Sequence, residues 1–326
     1  MRRTLGFLVA ALVLGAVVGP LPARADDYPR QAVRVLVGFA AGGAPDTLAR
    51  TVGQRLSERW RQPVVVENRV GAQGNLAMTA VAKAEPDGHT LVLVPVGNAA
   101  VNPALFPDLP YDIVRDFAPV TRIAEVENVL VVSGRSPVTS LGELIARAKA
   151  DLAPLTYATP GAGSLAHLAA ELLGRGTGIA VRHVPYRGVS PALTDVIRGE
   201  VAMTVAQLST AKPFIESGQL RALGVASPRR SPLLPGVPTI AEAAGLPGFE
   251  AVSWYALMAP ARTPDAVIAK LHDDVAAVLN LPEVRASLEP LGALPAATTP
   301  AELAALIAQD GARWGKVVRD AGIRPE

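Results

Sequence analysis

Short apolar runs rich in β-branched residues alternate with longer amphipathic stretches, and this alternation constrains the fold more than any other feature of the chain. Residues 33–39 and 90–96 are apolar runs typical of buried strands. Between them, four residues recur at a spacing of four, which places them on one face of a helix: Leu48, Val52, Leu56 and Trp60. Runs that are apolar throughout are typical of parallel strands covered on both faces, so the pattern predicts an α/β fold.

The same alternation recurs in the middle of the chain and ends in a helical tail. Strands are predicted over residues 155–159, 179–184, 201–206 and 220–226. Helices are predicted in the tail over residues 264–279, 282–288 and 300–321. Ser140 and Thr299 are each followed three residues later by Glu, which predicts capping boxes at two helix starts. Two α/β sets without a low-complexity linker predict two lobes, with a chain that crosses between them more than once.

The first 25 residues have the pattern of a cleavable signal peptide. Arg2 and Arg3 give a positive start, residues 5–18 are an uncharged apolar run, and residues 23–25 provide a small-x-small cleavage pattern. An uncleaved membrane anchor is the alternative, but a spanning helix needs roughly 20 apolar residues. We therefore predict export to the periplasm, with cleavage after Ala25.

Charge and cysteine content exclude several classes of protein. The net charge of +2 includes three arginines of the predicted signal peptide, and the remainder has 28 basic and 29 acidic residues. These residues are interspersed, whereas nucleic-acid-binding proteins have a basic face, so no nucleic-acid partner is expected. The absence of cysteine removes disulfides, thiolate nucleophiles and cysteine-ligated metals. We expect no cofactor.

Two glycine-containing loops each follow a predicted strand and precede a predicted helix. The first is GFAAGGAPD at residues 38–46, and the second is TPGAGS at residues 159–164. Backbone N–H groups at a helix N-terminus favour an anion, and glycine allows a ligand to approach the backbone closely. Two such loops, one in each lobe, could clamp one or two carboxylates. The alternative is that both are only tight strand-to-helix turns.

The second loop also matches a dinucleotide-binding fingerprint. Gly161, Gly163 and Ala166 stand at the required spacing after a strand. An acidic residue should end the next strand to bind a ribose hydroxyl, but Arg182 and His183 are there instead. Export also separates the protein from the NAD pool, so a nucleotide site is not expected.

Catalytic and metal-binding patterns are weak. Ser164 is not part of a Gly-x-Ser-x-Gly elbow and is interpreted as a helix N-cap. His167 and Glu171 have an i,i+4 spacing that could hold a metal, but one such pair is commonplace, so no metal site is expected. A carboxylate pair for glycoside hydrolysis is not excluded by spacing, although 14 aromatic residues are few for a sugar-binding cleft.

At the two loops the sequence resembles the solute receptors of tripartite tricarboxylate transporters, the TctC-like or Bug family. The matching stretches include VRVLVGFAAGGAPDTLAR, QPVVVENRVGAQGN, YATPGAGSLAHLAAELL, HVPYRGVSPALTDVIRGEVAMT and WYALMAPARTP. They follow one another in order from about Tyr28 to Ile323 without large gaps. So many ordered blocks are specific to the family, but they are not specific to a ligand.

The resemblance implies the type II periplasmic binding protein fold, an α/β architecture in which two lobes close on a ligand. Each lobe would be a sheet flanked by helices, with the ligand cleft between the lobes. Lobe 1 would contain residues 26–126 and 251–326, and lobe 2 would contain residues 127–250.

The resemblance also implies which residues bind the ligand. Carried over by position, they are Phe39, Gly42, Gly43, Asp46, Asn98, Thr159, Gly161, Gly163, Ser164 and His167. The glycine amides and the Ser164 hydroxyl would hold a ligand carboxylate, partly through water. Asp46 would either bind an ammonium or polar group of the ligand or stabilise the first turn of its helix.

Three departures from the family pattern leave the identity of the ligand open. Ala40 and Ala41 stand where the family often has proline, so the first loop is expected to be less rigid. Thr159 replaces the usual serine, and Arg187 replaces the usual lysine.

Taken with the resemblance, these features predict a monomeric periplasmic receptor that is not an enzyme. It would close around a small organic carboxylate and deliver it to the permease subunits of a tripartite transporter. Two alternatives stay open: an exported hydrolase that uses Ser164 or a carboxylate, and a sensor that docks to a signalling protein.

Overall fold

The structure, a computed structural model, describes residues 28–289 and 292–325. The predicted signal peptide and its cleavage site lie outside the described residues. The strands are β1 (Val33–Val37), β2 (Val64–Asn68), β3 (Thr90–Pro95), β4 (Phe117–Val126), β5 (Asn128–Ser133), β6 (Leu155–Thr159), β7 (Val181–Pro185), β8 (Met203–Gln207), β9 (Leu220–Val225), β10 (Ser253–Pro260) and β11 (Ala293–Pro295).

Helices connect and cover these strands. They are α1 (Ala44–Trp60), α2 (Asn75–Ala82), α3 (Asn102–Leu105), α4 (Leu141–Ala150), α5 (Leu165–Thr177), α6 (Val189–Arg198), α7 (Leu208–Glu216), α8 (Ile240–Ala244), α9 (Asp265–Leu279), α10 (Pro282–Leu288) and α11 (Pro300–Ala321). A 3₁₀ turn at Ala72–Gly74 precedes α2, and a π-helical turn at Gly97–Val101 precedes α3.

The strands form two sheets. Sheet 1 has the order β11-β4-β10-β3-β1-β2, and sheet 2 has the order β7-β6-β8-β5-β9. The predicted βα units are confirmed, because β1 pairs in parallel with β2 and β3, and β6 pairs in parallel with β7 and β8. Both sheets are nevertheless mixed. Strand β10 lies antiparallel between β3 and β4, and β5 lies antiparallel between β8 and β9.

The chain passes from one sheet to the other twice, at neighbouring points. Strand β4 ends in sheet 1 at Val126, and β5 begins in sheet 2 at Asn128. The chain returns to sheet 1 just before β10. Asn128 ties the two passages together, because its Nδ2 donates to the carbonyl of Ala251 at 2.7 Å and to Ser253 Oγ at 3.1 Å.

The helix starts follow the sequence signals in most respects. The Thr299 capping box is present in full, with reciprocal bonds between Thr299 and Glu302. Only half of the predicted box forms at Ser140, whose Oγ accepts from the Glu143 amide at 3.1 Å. The Glu143 carboxylate accepts instead from the amide of Thr139, one residue earlier. Three residues of the predicted stripe of α1, Leu48, Val52 and Leu56, are confirmed as buried core, and Trp60 at its end is partly buried.

Close backbone packing fixes the start of the first glycine loop. A Cβ on Gly38 would lie 2.5 Å from the Cα of Gly74, in the turn before α2. Backbone cannot yield as a flexible side chain can, so glycine is required at this crossing. Among the described residues, no helix has an apolar stretch long enough to cross a membrane.

Candidate functional site

A cleft between the two sheets contains two adjoining chambers of about 430 and 370 Å³. We call the larger one the α6 chamber, because Val189, Ala192 and Leu193 of α6 line it. The smaller one is the amide chamber, lined by Gln73 and Asn98 and by the second glycine loop. Residues of both sheets form the wall that the chambers share: Phe39, Pro95, Pro160, Ser164, Leu165, Gln207, Ser253 and Tyr255.

Another cavity, of about 550 Å³, lies against Arg135, Arg147 and Arg198. Its lining residues all fall between 133 and 202, so they belong to sheet 2 and its helices alone. It does not bridge the two sheets. The cleft is therefore the site that a moving two-lobed protein could open and close.

The first glycine loop places the N-terminus of α1 at the cleft. Phe39 lines both chambers, and Ala44 and Pro45 of the first helical turn line the α6 chamber. A hydrogen bond within the loop stabilises it, because the Gly42 backbone amide donates to the side-chain oxygen Oδ2 of Asp46 at 2.9 Å. Gly42 has φ +84°, in the left-handed region that favours glycine. Gly43 is the N-cap residue of α1.

Asp46 is buried behind this loop rather than exposed to the cleft. In addition to the Gly42 amide, its carboxylate accepts from Arg50 Nε at 3.0 Å and from Asn68 Nδ2 at 2.9 Å. Burial raises the pKa of Asp46, but the hydrogen bonds, led by that from Arg50, outweigh it and hold the pKa at about 2. These contacts favour the second of its two predicted roles, stabilising the start of α1.

The second glycine loop is braced by hydroxyl groups. Thr159 Oγ1 accepts from the Gly161 amide at 3.2 Å, and Ser164 Oγ donates to the Gly161 carbonyl at 2.8 Å. The same Ser164 oxygen accepts from the His167 amide at 3.3 Å, which is an N-cap of α5. The first turn of α5 then presents amide N–H groups that have no intrahelical acceptor. Leu165, in that turn, lines both chambers.

His167 supports the second loop from inside. Its Nδ1 accepts from the Gly163 amide at 3.3 Å, and its ring stacks on the His183 ring with centroids 3.9 Å apart. Burial, together with the neighbouring His183, lowers the pKa of His167 to about 4. The ring is therefore neutral at pH 7 and keeps the lone pair that the Gly163 amide needs.

The ten predicted site residues divide into two sets. Five line the cleft: Phe39, Asn98, Gly161, Gly163 and Ser164. The other five line neither chamber. Asp46, Thr159 and His167 are buried and hold the loops, whereas Gly42 and Gly43 are exposed residues of the first loop. Asn98, in the π-helical turn, donates from Nδ2 to the Gln73 carbonyl at 2.9 Å and to Asn75 Oδ1 at 3.1 Å.

Residues from strand ends complete the cleft, and sequence reasoning missed them. Gln207 Nε2, at the end of β8 in sheet 2, donates to the Tyr255 hydroxyl of β10 in sheet 1 at 3.0 Å. This hydrogen bond crosses between the sheets at the floor of the cleft. Burial raises the pKa of Tyr255, so its hydroxyl is neutral and keeps a proton to donate. The predicted end of β8 was a signal for Gln207. Tyr255 lies in the matching stretch WYALMAPARTP, but the resemblance did not assign it to the cleft.

The cleft has no charged lining among the residues that the structure describes. No Asp, Glu, Lys, Arg or His side chain faces either chamber in residues 28–289 and 292–325. Within the same residues, no group of three or more His, Asp or Glu side chains could hold a metal ion. An anion in this cleft would therefore be held by backbone N–H groups, helix dipoles and neutral side chains.

Comparison with known proteins assigns this architecture to a family. A sequence model described as the tripartite tricarboxylate transporter family receptor matches residues 48–323. The chain belongs to this receptor family. The resemblance predicted from the sequence is thus confirmed, and the family is one of solute receptors rather than of enzymes.

Relatives cover this receptor chain almost from end to end. BugT of Bordetella pertussis is 36% identical over 325 residues, which is 99% of this chain and 98% of BugT. R. palustris Rpa4515, solved with adipate, is 39% identical and superposes with a TM-score of 0.80, over 92% of this chain and all of that one. MatC from Rhodopseudomonas palustris, solved with bound malate, is 36% identical and superposes with a TM-score of 0.73, over 89% of this chain and 100% of MatC. The two-lobed periplasmic binding protein fold is confirmed.

Proposed function

We propose that this receptor captures a small organic carboxylate in the interlobe cleft and releases it unchanged to the permease of a tripartite transporter. The observation that carries the proposal is the convergence of two helix N-termini on one uncharged cleft. Helix α1 comes from the side of sheet 1 and α5 from the side of sheet 2, each behind a glycine loop. Both dipoles favour a negative charge at the same place. The adipate and malate of the two R. palustris relatives are carboxylates of this kind.

In the proposed mechanism, the two lobes close on the ligand, and the two segments where the chain passes between the sheets act as the hinge. Lobe 1 contains residues 26–126 and 251–326, and lobe 2 contains residues 127–250. A ligand that contacts both helix N-termini interacts fully only when the lobes are closed, so it shifts the population towards the closed state. The permease would then recognise the closed conformation of the receptor rather than the ligand itself.

The protein is proposed to act in the periplasm as a monomer, after removal of residues 1–25. We also propose that it has no catalytic activity. A hydrolase would need a base beside Ser164, but the Ser164 hydroxyl donates to the Gly161 carbonyl. The Nδ1 atom of His167, three residues further along the chain, accepts from the Gly163 amide. Neither group is placed to activate the other.

The test uses mature protein that has been unfolded in urea and refolded, so that acids bound during expression are removed. Thermal shift against mono-, di- and tricarboxylates should show at least one stabilising acid, because a ligand at about 100 times its Kd adds about 2.7 kcal/mol. Mass spectrometry of the released acid should show it unchanged. A stabilising acid that comes back chemically altered would contradict the receptor assignment.

Ser164→Ala tests the site itself. Losing the N-cap and the brace of the second loop should weaken binding by about 1–3 kcal/mol, or roughly five- to 150-fold. Ser190→Ala is the matched control, because Ser190 is exposed near the start of α6 and lines neither chamber. Equal affinities for the two variants would refute the assigned place of the carboxylate.

A further inference from the structure

The two chambers differ in chemistry, and the difference bears on what the ligand looks like beyond its carboxylate. The amide chamber is lined by carboxamide side chains, among them Gln73, Asn98 and Asn102, and by the backbone of the second glycine loop. The α6 chamber is lined mainly by aliphatic side chains. Val189, Ala192 and Leu193 contribute one wall from α6, and Val205 contributes another from β8.

Most of the polar side chains of the α6 chamber already have partners inside the protein. Thr204 Oγ1 donates to the Ala158 carbonyl at 2.8 Å. Asn128 Nδ2 is shared between a carbonyl and a serine hydroxyl of the second chain passage, as described above. The Ser164 hydroxyl and the Gln207 amide are also engaged. Ser253 and Tyr255 keep hydroxyl protons, but both lie on the wall that the two chambers share, beside the proposed carboxylate. Away from that wall, a ligand in the α6 chamber meets mainly apolar side chains.

The entrance to the α6 chamber offers one more polar group. Thr210, on α7, lines the chamber and is exposed, and its hydroxyl has no hydrogen-bond partner within the described residues. One neutral hydroxyl at an exposed rim is a poor match for a second carboxylate. An ionised group that leaves water needs several donors or a countercharge.

These observations, taken with the proposed carboxylate site at the N-terminus of α5, define an amphipathic cleft. We propose that the ligand is a monocarboxylate with an apolar body, whose carboxylate lies at the shared wall and whose body fills the α6 chamber. Compact polyanions and hydroxy acids would leave this apolar surface uncovered. The inference rests on the proposed function, and it adds the class of acid.

A homologous series of acids tests the inference by isothermal titration calorimetry on refolded, ligand-free protein. The monocarboxylates are acetate, butyrate, hexanoate and octanoate; the comparison acids are succinate, adipate, suberate and citrate. Each methylene group buried against the α6 chamber should increase the affinity about fourfold until the chamber is full. Hexanoate should therefore bind at least tenfold more tightly than adipate, which has the same number of carbons.

Variants of the chamber separate its role from that of the carboxylate site. Val189→Asp places a negative charge on the apolar wall and should weaken hexanoate binding at least tenfold, and by a larger factor than it weakens acetate binding. Val189 is 40% exposed, so the variant should fold. Val114→Asp is the control, because Val114 is 79% exposed and lines neither chamber.

The possible outcomes distinguish the two proposals. If adipate or citrate binds more tightly than hexanoate, or if Thr210→Val abolishes adipate binding, the monocarboxylate inference is wrong while the receptor function stands. An affinity that does not rise with chain length would overturn it equally. If no acid of either series binds the refolded protein, the proposed carboxylate receptor itself fails, and the inference fails with it.

Discussion

An added methyl group at Gly163 should reveal the close contact between the second glycine loop and α3. A Cβ there would lie 2.3 Å from Leu105 Cδ2, at the end of α3, and the backbone φ is +72°. A left-handed backbone costs an L-residue about 1–2 kcal/mol, and overpacking a buried contact costs about 1–3 kcal/mol. Because the Leu105 side chain can rotate in part, we expect Gly163→Ala to lower the free energy of unfolding by about 2–4 kcal/mol.

A double-mutant cycle isolates the contact from the backbone strain. Leu105→Ala alone should cost about 2–5 kcal/mol, because Leu105 is buried. In the double variant, the new methyl group of residue 163 enters the space that the leucine vacates. The two changes should therefore cost about 1–2 kcal/mol less than the sum of their separate effects. Urea unfolding, with the slope m checked for each variant, measures all four free energies.

Gly161→Ala provides the control for this cycle. Gly161 also has a positive φ, of +139°, but a Cβ there would have no neighbour within 4 Å. Its substitution should strain the backbone without contacting Leu105, so its effect and that of Leu105→Ala should add to within about 0.5 kcal/mol. A coupling for the Gly163 pair that is equally close to zero would refute the argued contact.

Three further perturbations test the scaffold of the site. Gly38→Ala should lower the free energy of unfolding by about 1–3 kcal/mol, because its new methyl group clashes with backbone. Gly311→Ala is the contrasting variant: it lies inside α11 with open space around it and should raise the free energy of unfolding by about 0.5–1 kcal/mol. Urea unfolding checks both signs. From pH 7 to pH 5, His167 should reduce the free energy of unfolding by about 2 kcal/mol, because only the unfolded chain takes up the proton; a His167 ring that titrates above pH 6 by NMR contradicts this. Asp46→Ala should cost about 1–3 kcal/mol by leaving its donors unpaired, and calorimetry should show acid affinity changing less than it does in Ser164→Ala.

The parallel strands and β9 could be predicted from the sequence, whereas the antiparallel strands β4, β5 and β10 could not. Strands such as β1 and β6 are short apolar runs followed by a glycine loop and an amphipathic helix, so three local signals agree. Strand β10 is buried at every residue from Ser253 to Pro260 and has no alternation. By periodicity alone, such a run cannot be told from a buried helix. Strands β4 and β5 join at Glu127 without Gly or Pro to mark the passage.

The residues of the candidate site also fall into those that the sequence predicted and those that it did not. The glycine loops were predicted because anion binding by a helix N-terminus is a local property of sequence. The roles of Asp46 and His167 depend on partners elsewhere, Asn68 and His183 among them, so position alone could not assign them. Tyr255 reaches the cleft only because antiparallel pairing brings a late strand between two early ones.

The place of β10 within sheet 1 also has a consequence for the order of folding. Sheet 2 is built entirely from residues 128–225, so its strands are complete while more than a quarter of the chain is still to come. In sheet 1, β4 and β3 have no pairing with each other and meet only through β10. Strands β1 to β3 can pair with one another, but during synthesis the outer edge of β3 stays unpaired until residues 253–260 are made. We expect a chain shortened before β10 to show stronger protection from hydrogen exchange in sheet 2 than in β1 to β3.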